Sequence, residues 1–122
     1  MDFKDLLVYK KAFQLAMEIF EISKKFPKEE TYSLTDQIRR CSRSVCSNIA
    51  EAYRKRRYPK HFISKVSDAD SENAETQVWL EFAKACEYII NEEFADLHNK
   101  SMEVGKLLNL MIEHPEKYGV RF

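Results

Sequence analysis

The chain has 122 residues, of which 33% are charged, and its equal numbers of basic and acidic side chains give a formal net charge of zero. Two glycines and three prolines are too few for a turn-rich β fold and favour long helices in one domain spanning residues 1–122. No apolar run approaches the roughly 18 residues that cross a bilayer, and the three cysteines lack CxxC spacing. We therefore expect a cytoplasmic protein with reduced thiols and no membrane partner.

The first predicted helix spans about residues 4–25, because its large apolar side chains recur at spacings of three and four. Phe26 and Pro27 end it, since the residue before a proline is pushed out of the helical region. Its predicted buried face consists of Leu6, Tyr9, Phe13, Met17 and Phe20.

Two longer helices are predicted next. The second spans about residues 34–57, with Ser33 as its N-cap. Pro59 suits the first turn of a third helix over about residues 59–91. The inner face of the second helix is predicted to carry Leu34, Ile38, Cys41, Val45, Asn48 or Ile49, and Ala52. The inner face of the third is predicted to carry Phe62, Val66, Ala69, Asn73, Thr76, Leu80, Ala83 and Tyr88.

The fourth predicted helix spans about residues 93–113 and ends before Pro115, after which residues 117–122 are expected to form a frayed tail. Its predicted buried residues are Phe94, Leu97, Val104, Leu108 and Met111. Short connections between long helices place consecutive helices antiparallel. The sequence therefore predicts an all-α protein, an antiparallel up-down-up-down four-helix bundle.

Charge is segregated along the chain although it sums to zero. Residues 39–65 contain nine lysines and arginines and one acid, whereas residues 66–96 contain nine acids and one lysine. In an antiparallel hairpin, residues whose numbers add to about 118 lie opposite one another, which places Arg43 near Glu75. One interpretation is therefore that the basic second helix and the acidic third helix neutralise each other.

The turn between these two helices has no acid to balance its positive charge. Its basic residues are Arg54, Lys55, Arg56, Arg57 and Lys60, and the secondary candidates along the second helix are Arg39, Arg40 and Arg43. A net positive field attracts phosphate regardless of nucleotide sequence. The nearby rings, which are candidates for stacking on exposed bases, belong to Tyr53, Tyr58, His61 and Phe62. The same pattern is also that of a solvated, charged helix end.

Polar residues interrupt the apolar stripes, and we expect them to form a network that fixes helix register or a subunit contact. The predicted members are Asn48, Glu51, Glu72, Glu75 and Thr76, with Arg40 and Arg43 as partners, and Trp79 is expected to be a core or subunit-interface anchor. Carboxylates in a bundle core raise the alternative of a metal-dependent enzyme, but the chain has no Glu-x-x-His pair of the di-iron type. Because no P-loop, HExxH motif or nucleophilic triad is evident, we expect no metal, no cofactor and no enzyme activity.

The helical spacing predicts different surroundings for two of the cysteines. Cys41 lies on the predicted core stripe and is expected to be inert. Cys46 is expected to face outward beside Arg43, whose charge would lower the pKa of the thiol.

Several short motifs in order resemble one family. They are FPKEE at 26–30, YSL at 32–34, QIRR at 37–40, SVCSNIAE at 44–51, ENAET at 72–76, WL at 79–80 and YI at 88–89. Together they are similar to the bacterial 23S rRNA intervening-sequence proteins, over about residues 7–112. The resemblance implies a four-helix bundle that assembles as a homopentamer. A related branch resembles the accessory proteins of diversity-generating retroelements, which bind a reverse transcriptase and nucleic acid.

Two residues depart from the family pattern. Cys46 stands where the family usually has proline, and Ala52 stands where it usually has glycine. Both changes favour a straighter and more continuous second helix.

Two functional hypotheses follow. The first is a non-enzymatic homo-oligomeric module, pentameric by resemblance, that binds RNA or DNA electrostatically through the basic second helix and the turn after it. The alternative is a structural or protein-partner scaffold without a nucleic-acid role, in which the basic and acidic faces are complementary subunit surfaces.

Overall fold

Four long helices make up most of the computed structural model, which describes residues 1–122. They are α1 (Leu7–Ser23), α2 (Leu34–Arg54), α3 (Pro59–Ala85) and α4 (Asn91–Glu113). Short 3₁₀ turns lie at Phe3–Asp5, Lys28–Glu30 and Pro115–Tyr118. There is no β-strand, which confirms the all-α prediction. None of the four helices combines the length and the apolar character that a bilayer crossing requires.

Contacts between neighbouring helices show that their directions alternate. Between α2 and α3, Glu51 lies 2.8 Å from Lys65, and the Thr76 hydroxyl donates to Cys41 Sγ at 3.2 Å. The ion pairs that join α1 and the residues just after it to α4 run in the same opposed sense and are Lys11–Glu103, Glu18–Lys100 and Lys25–Glu93. Because α1 packs on α2 and also on α4, the four helices close around one core. The contacts agree with the predicted antiparallel four-helix bundle.

The core-facing residues of α2 and α3 are largely those that the sequence predicts. Ile38, Ile49 and Ala52 on α2 have no exposed surface. The predicted α3 face is buried from Phe62 to Ala83, and its members Phe62, Val66 and Leu80 are also fully enclosed. α2 runs without interruption through Cys46 and Ala52, as the two departures from the family pattern favour.

Of the predicted buried face of the first helix, Leu6 is buried and Tyr9 and Phe20 are half-buried, but the prediction is wrong for Phe13 and Met17. Phe13 and Met17 are 51% and 45% exposed. The buried face of α1 instead carries Val8, Ala12, Leu15, Ala16 and Ile19. The buried residues from Val8 to Ile19 recur at helical spacing as regularly as the predicted ones do, so spacing does not choose between the two faces, and Phe13 and Met17 lie on the one turned toward the surface.

The C-terminal ends of α2 and α3 both differ from the prediction. α2 ends at Arg54 rather than 57, because Pro59 begins α3 and the preceding Tyr58 is extended, with φ −119° and ψ 91°. α3 ends at Ala85 rather than 91, because Glu87 takes a left-handed conformation with φ 62°. The Tyr88 N–H then donates to the carbonyl of Ala83 at 2.9 Å, which closes the helix end.

The prediction of a frayed tail over residues 117–122 is wrong, because the chain turns back onto the bundle there. The turn Pro115–Tyr118 brings Val120 back to the core, where it is 4% exposed. Gly119 permits this return because it adopts φ 87°, in the left-handed region that favours glycine. The C-terminal segment therefore lies against the bundle end that carries the α2–α3 turn.

At the opposite end, the α1–α2 and α3–α4 connections are tied together by one carboxylate. Glu30 accepts hydrogen bonds from the hydroxyls of Ser33 and Tyr88 and from the N–H of Leu34. These bonds hold the pKa of Glu30 below its usual value and raise the pKa of Tyr88 to about 12. Ser33 occupies the N-cap position but donates to Glu30 instead of capping the helix itself.

Candidate nucleic-acid interface

Three segments meet at the bundle end that carries the α2–α3 turn: the N-terminal residues, the end of α2 and the C-terminal residues. They enclose a cleft of about 640 Å³. We call it the arginine cleft, and its lining residues are Met1, Asp2, Tyr53, Arg54, Arg56, Arg57, Gly119 and Arg121. Four guanidinium groups thus share one concave surface with one carboxylate.

Arg56 is the most tightly held of the four arginines. Its guanidinium lies 3.6 Å from the centroid of the Tyr53 ring. Its Nε donates to the Tyr53 carbonyl at 2.8 Å, and its Nη1 donates to the Tyr118 carbonyl at 3.3 Å. These contacts fix the orientation of a side chain that otherwise has many rotamers.

The α2–α3 turn with its basic residues 54–60 is called the tip, and its other predicted basic residues are held more loosely than Arg56. Arg54 Nη2 lies 3.7 Å from Asp2, a separation too long for a good hydrogen bond. Arg57 and Lys60 are exposed, and Lys55 is half-buried in the turn. Since none of these three is in an ion pair, they keep their charge available to a ligand.

A second cleft, of about 930 Å³, adjoins the first and shares Arg57 with it. We call it the aromatic cleft, and its lining residues are Arg57, Tyr58, Pro59, Lys60, His61, Ile63, Ser64, Ser67, Asp68 and Phe122. The Tyr58 ring is 54% exposed and its centroid lies 5.8 Å from that of His61. Exposed rings of this kind can stack on unpaired bases.

Two of the four rings proposed for stacking are not accessible. Phe62 has no exposed surface, and Tyr53 is 6% exposed beneath the Arg56 guanidinium. Tyr58 and His61 remain available, because they lie in the turn and on the outer side of the first turn of α3.

The secondary candidates on α2 do not join the tip. Arg39 and Arg43 lie over the Phe20 ring of α1, at 4.8 and 5.5 Å from its centroid. Arg40 pairs with Asp36 one turn earlier on the same helix. Arg39 precedes Arg54 by 15 residues, or about 22 Å of helix. The eight predicted basic residues therefore form two separate groups.

The expected polar network does not form as one unit. Asn48 donates to Ser44 on its own helix, and Glu51 pairs with Lys65 at the surface. Thr76 is fully buried and bonds Cys41 and the Glu72 carbonyl. The pairing of α2 with α3 along their length is close to that predicted. The network does not form because these side chains point in different directions around the axes of their helices.

A different buried network links α3 to α4. Asn73 and Ser101 exchange two hydrogen bonds of 2.9 Å, and Gln77 donates to the Ser101 hydroxyl at 3.0 Å. The spacing of Asn73 predicts the inner face for it, but not its part in a network. An asparagine within a run of buried positions is the signal that would have found it.

Glu72, Glu75 and Trp79 lie together on the partly exposed face of α3. Burial, with the neighbouring carboxylates of Glu75 and Asp68, holds the pKa of Glu72 above its usual value. The Trp79 ring lies 5.8 Å from that of Phe82, and its buried Nε1 has no hydrogen-bond partner. The predicted neutralisation of Arg43 by Glu75 is absent, because Arg43 faces Phe20 instead.

Two of the three cysteines, Cys41 and Cys46, are buried. Cys46 is buried rather than outward-facing, and burial raises the pKa of both Cys41 and Cys46 to about 11. Their thiols are therefore protonated and poorly nucleophilic at neutral pH. No group of three or more His, Cys, Asp or Glu side chains is placed to hold a metal ion.

Arg121, Gly119 and Asp2 were not predicted as site residues. The topology contains a signal for them, because an up-down-up-down bundle returns both chain ends to the end that carries the α2–α3 turn. That signal applies only where the C-terminal segment is ordered, whereas its sequence predicts a frayed tail.

Fold and site together define a small all-α bundle with a basic, aromatic-flanked end. The chain belongs to the family described as 23S rRNA-intervening sequence protein, whose model matches residues 4–110, which confirms the resemblance. A crystal structure from Bacteroides thetaiotaomicron is similar over 90% of this chain and 98% of its own, with 33% identity and a TM-score of 0.81. It is described as a protein of unknown function from the S23 ribosomal protein family. No match was found among curated proteins.

Proposed function

We propose that the protein is a non-enzymatic, homo-oligomeric module that binds RNA or DNA through the bundle end formed by the arginine cleft and the aromatic cleft. The observation that carries this proposal is the convergence of Arg54, Arg56, Arg57 and Arg121 around one carboxylate, Asp2. Guanidinium groups pair with phosphate oxygens in bidentate geometry, and this pairing is independent of base sequence.

The charge distribution supports an electrostatic binding mode. The chain has no net charge, yet residues 54–60 at the α2–α3 turn contain five basic side chains and no acid. Because the tip cations are largely unpaired, phosphates can replace the counterions that surround them, so binding weakens as salt rises. Tyr58 and His61 add stacking surface for single-stranded bases next to these cations.

Self-association is supported by two exposed apolar faces of opposite charge. On α1, Phe13 and Met17 line a groove of about 390 Å³ with Arg43 at its edge. On α3, Val78 and Phe82 are 48% and 52% exposed, close in sequence to Glu72 and Glu75. A contact of the first face with the second face of another copy is heterologous and can close into a ring. The pentamer is the number that the family resemblance implies.

We also propose a cytoplasmic location and no catalytic activity. Three free thiols suit a reducing compartment. The raised pKa of Cys41 and Cys46 and the pairing of Glu51 with Lys65 leave no activated nucleophile or base among the predicted core residues.

A second candidate function is a scaffold for a protein partner without a nucleic-acid role. The exposed ring of Phe82 beside the partly buried Trp79 favours it, since aromatic residues are enriched at protein interfaces. In this alternative the tip cations are only solvated charges.

Light-scattering mass, measured with and without a structured RNA fragment at about 50 and 200 mM salt, separates the two candidates. We expect a homo-oligomer that takes up RNA at the lower salt concentration and releases it at the higher. An oligomer whose mass is the same with and without RNA at both concentrations would favour the protein scaffold. A monomeric mass would contradict the proposed self-association.

A further inference from the structure

We propose that the arginine cleft receives the terminal phosphate of a nucleic-acid strand, and that the terminal base lies in the adjoining aromatic cleft. This inference rests on the proposed function, and it narrows the ligand from any phosphate backbone to a strand end that carries a phosphomonoester.

Arg56 has hydrogen-bond donors that are free to bind a phosphate. A guanidinium has five N–H donors. Arg56 uses one on the Tyr53 carbonyl and one on the Tyr118 carbonyl, which leaves three for a ligand. Because the Tyr53 ring supports the guanidinium at 3.6 Å, those donors are held in place before a ligand arrives. Such pre-organisation reduces the entropy lost on binding.

The net charge of the arginine cleft suits a terminal phosphate better than an internal one. Four guanidinium groups face one carboxylate, a formal excess of three positive charges among the lining side chains. An internal phosphodiester carries one negative charge, whereas a phosphomonoester carries about −1.5 to −2 at pH 7 and offers three acceptor oxygens. The terminal phosphate therefore matches both the charge and the donor number of the cleft more closely.

The third step is the connection between the two clefts. Arg57 lines both of them, so a phosphate beside Arg57 places the attached nucleoside next to Tyr58 and His61. Phe122, 86% exposed, lies on the same aromatic cleft and adds a third ring. One strand end can thus fill both clefts, with its phosphate and its base in different chemical surroundings.

Gly119 keeps the cleft open at Arg56. A Cβ at this position would lie 2.9 Å from Arg56 Nη1, and the backbone has φ 87°. Any larger residue therefore displaces the guanidinium or strains the turn. The substitution Gly119→Ala changes the geometry of the phosphate site without changing its charge.

The test compares one short single-stranded RNA, labelled internally, in three forms: with a 5′-phosphate, with a 3′-phosphate and with hydroxyls at both ends. We expect one phosphorylated form to bind about tenfold more tightly than the hydroxyl form, as one or two added charge-assisted hydrogen bonds allow. Arg57→Gln and Gly119→Ala should abolish this preference. Lys60→Gln, which removes one charge outside the arginine cleft, should weaken all three forms and keep the preference.

The outcomes distinguish the inference from the function on which it rests. Equal, salt-dependent affinity for all three forms would overturn the terminal-phosphate site and leave general nucleic-acid binding intact. No binding of any form at low salt would remove both. If adenosine monophosphate displaced the strand completely at equal concentration, the ligand would be a free nucleotide, and the strand-end proposal would be wrong.

Discussion

Replacing Arg54, Arg57 and Lys60 together by glutamine is expected to reduce the salt slope of RNA binding, the change in log K with log salt concentration, by about two. Each phosphate contact with a single strand contributes about 0.7 to that slope. The preference among nucleotide sequences should not change, because these contacts are to phosphate. Fluorescence anisotropy with a single-stranded RNA at several salt concentrations measures the slope.

Arg56 is left out of this variant because it has a structural role. It bridges the Tyr53 and Tyr118 carbonyls, so its removal would leave two partly buried acceptors unpaired. The measured effect would then combine the loss of a charge with a change in structure.

The matched control removes three charges from the opposite end of the bundle: Lys24→Gln, Lys28→Gln and Lys84→Gln. All three lysines are exposed, and the change in net charge is identical. The slope of this control should equal that of the unmodified protein. If both triple variants lower the slope equally, binding reflects total charge rather than the tip, and the site is misplaced.

Phe62→Ala is expected to destabilise the fold by about 3–5 kcal/mol, whereas Tyr58→Ala, four residues earlier, should change stability by less than about 0.5 kcal/mol. Phe62 has no exposed surface and its truncation leaves a core cavity, while Tyr58 is 54% exposed. Denaturant unfolding at one fixed protein concentration measures both, since an oligomer's stability depends on concentration.

Tyr58→Ala, which has the smaller effect on stability, should have a clear effect on RNA affinity. Tyr58→Ala removes a stacking surface and should weaken binding about tenfold. A Tyr58→Ala protein with unchanged affinity for single-stranded RNA would exclude base stacking in the aromatic cleft, and a Phe62→Ala protein of unchanged stability would contradict the packing described above.

The fold followed from the sequence because helical spacing and loop length determine it. On α2 and α3 the apolar residues form one stripe each, so periodicity identified the buried face. On α1 apolar residues surround much of the helix, so spacing allows more than one buried stripe, and tertiary packing buries Ala12 and Ala16 while Phe13 and Met17 are exposed. Spacing alone does not contain that information.

The site was predictable in part. The turn cations from Arg54 to Arg57 came from charge counting, and the structure places Arg54, Arg56 and Arg57 in one cleft. The arginines on α2 were assigned to the α3 side from register, but Arg39 and Arg43 project toward Phe20 on α1. Residue numbers give the height of a side chain along a helix, whereas its direction around the axis depends on packing. Arg121 needed the folded C-terminal turn.

The central claim, that this bundle end contacts nucleic acid, is tested most directly by ultraviolet cross-linking to single-stranded RNA at about 50 mM salt followed by peptide mass spectrometry. We predict cross-links on the peptides that contain Tyr58 and His61, lost when the salt is raised several-fold. No cross-link at low salt, or cross-links concentrated around Trp79 and Phe82 on α3, would contradict the claim.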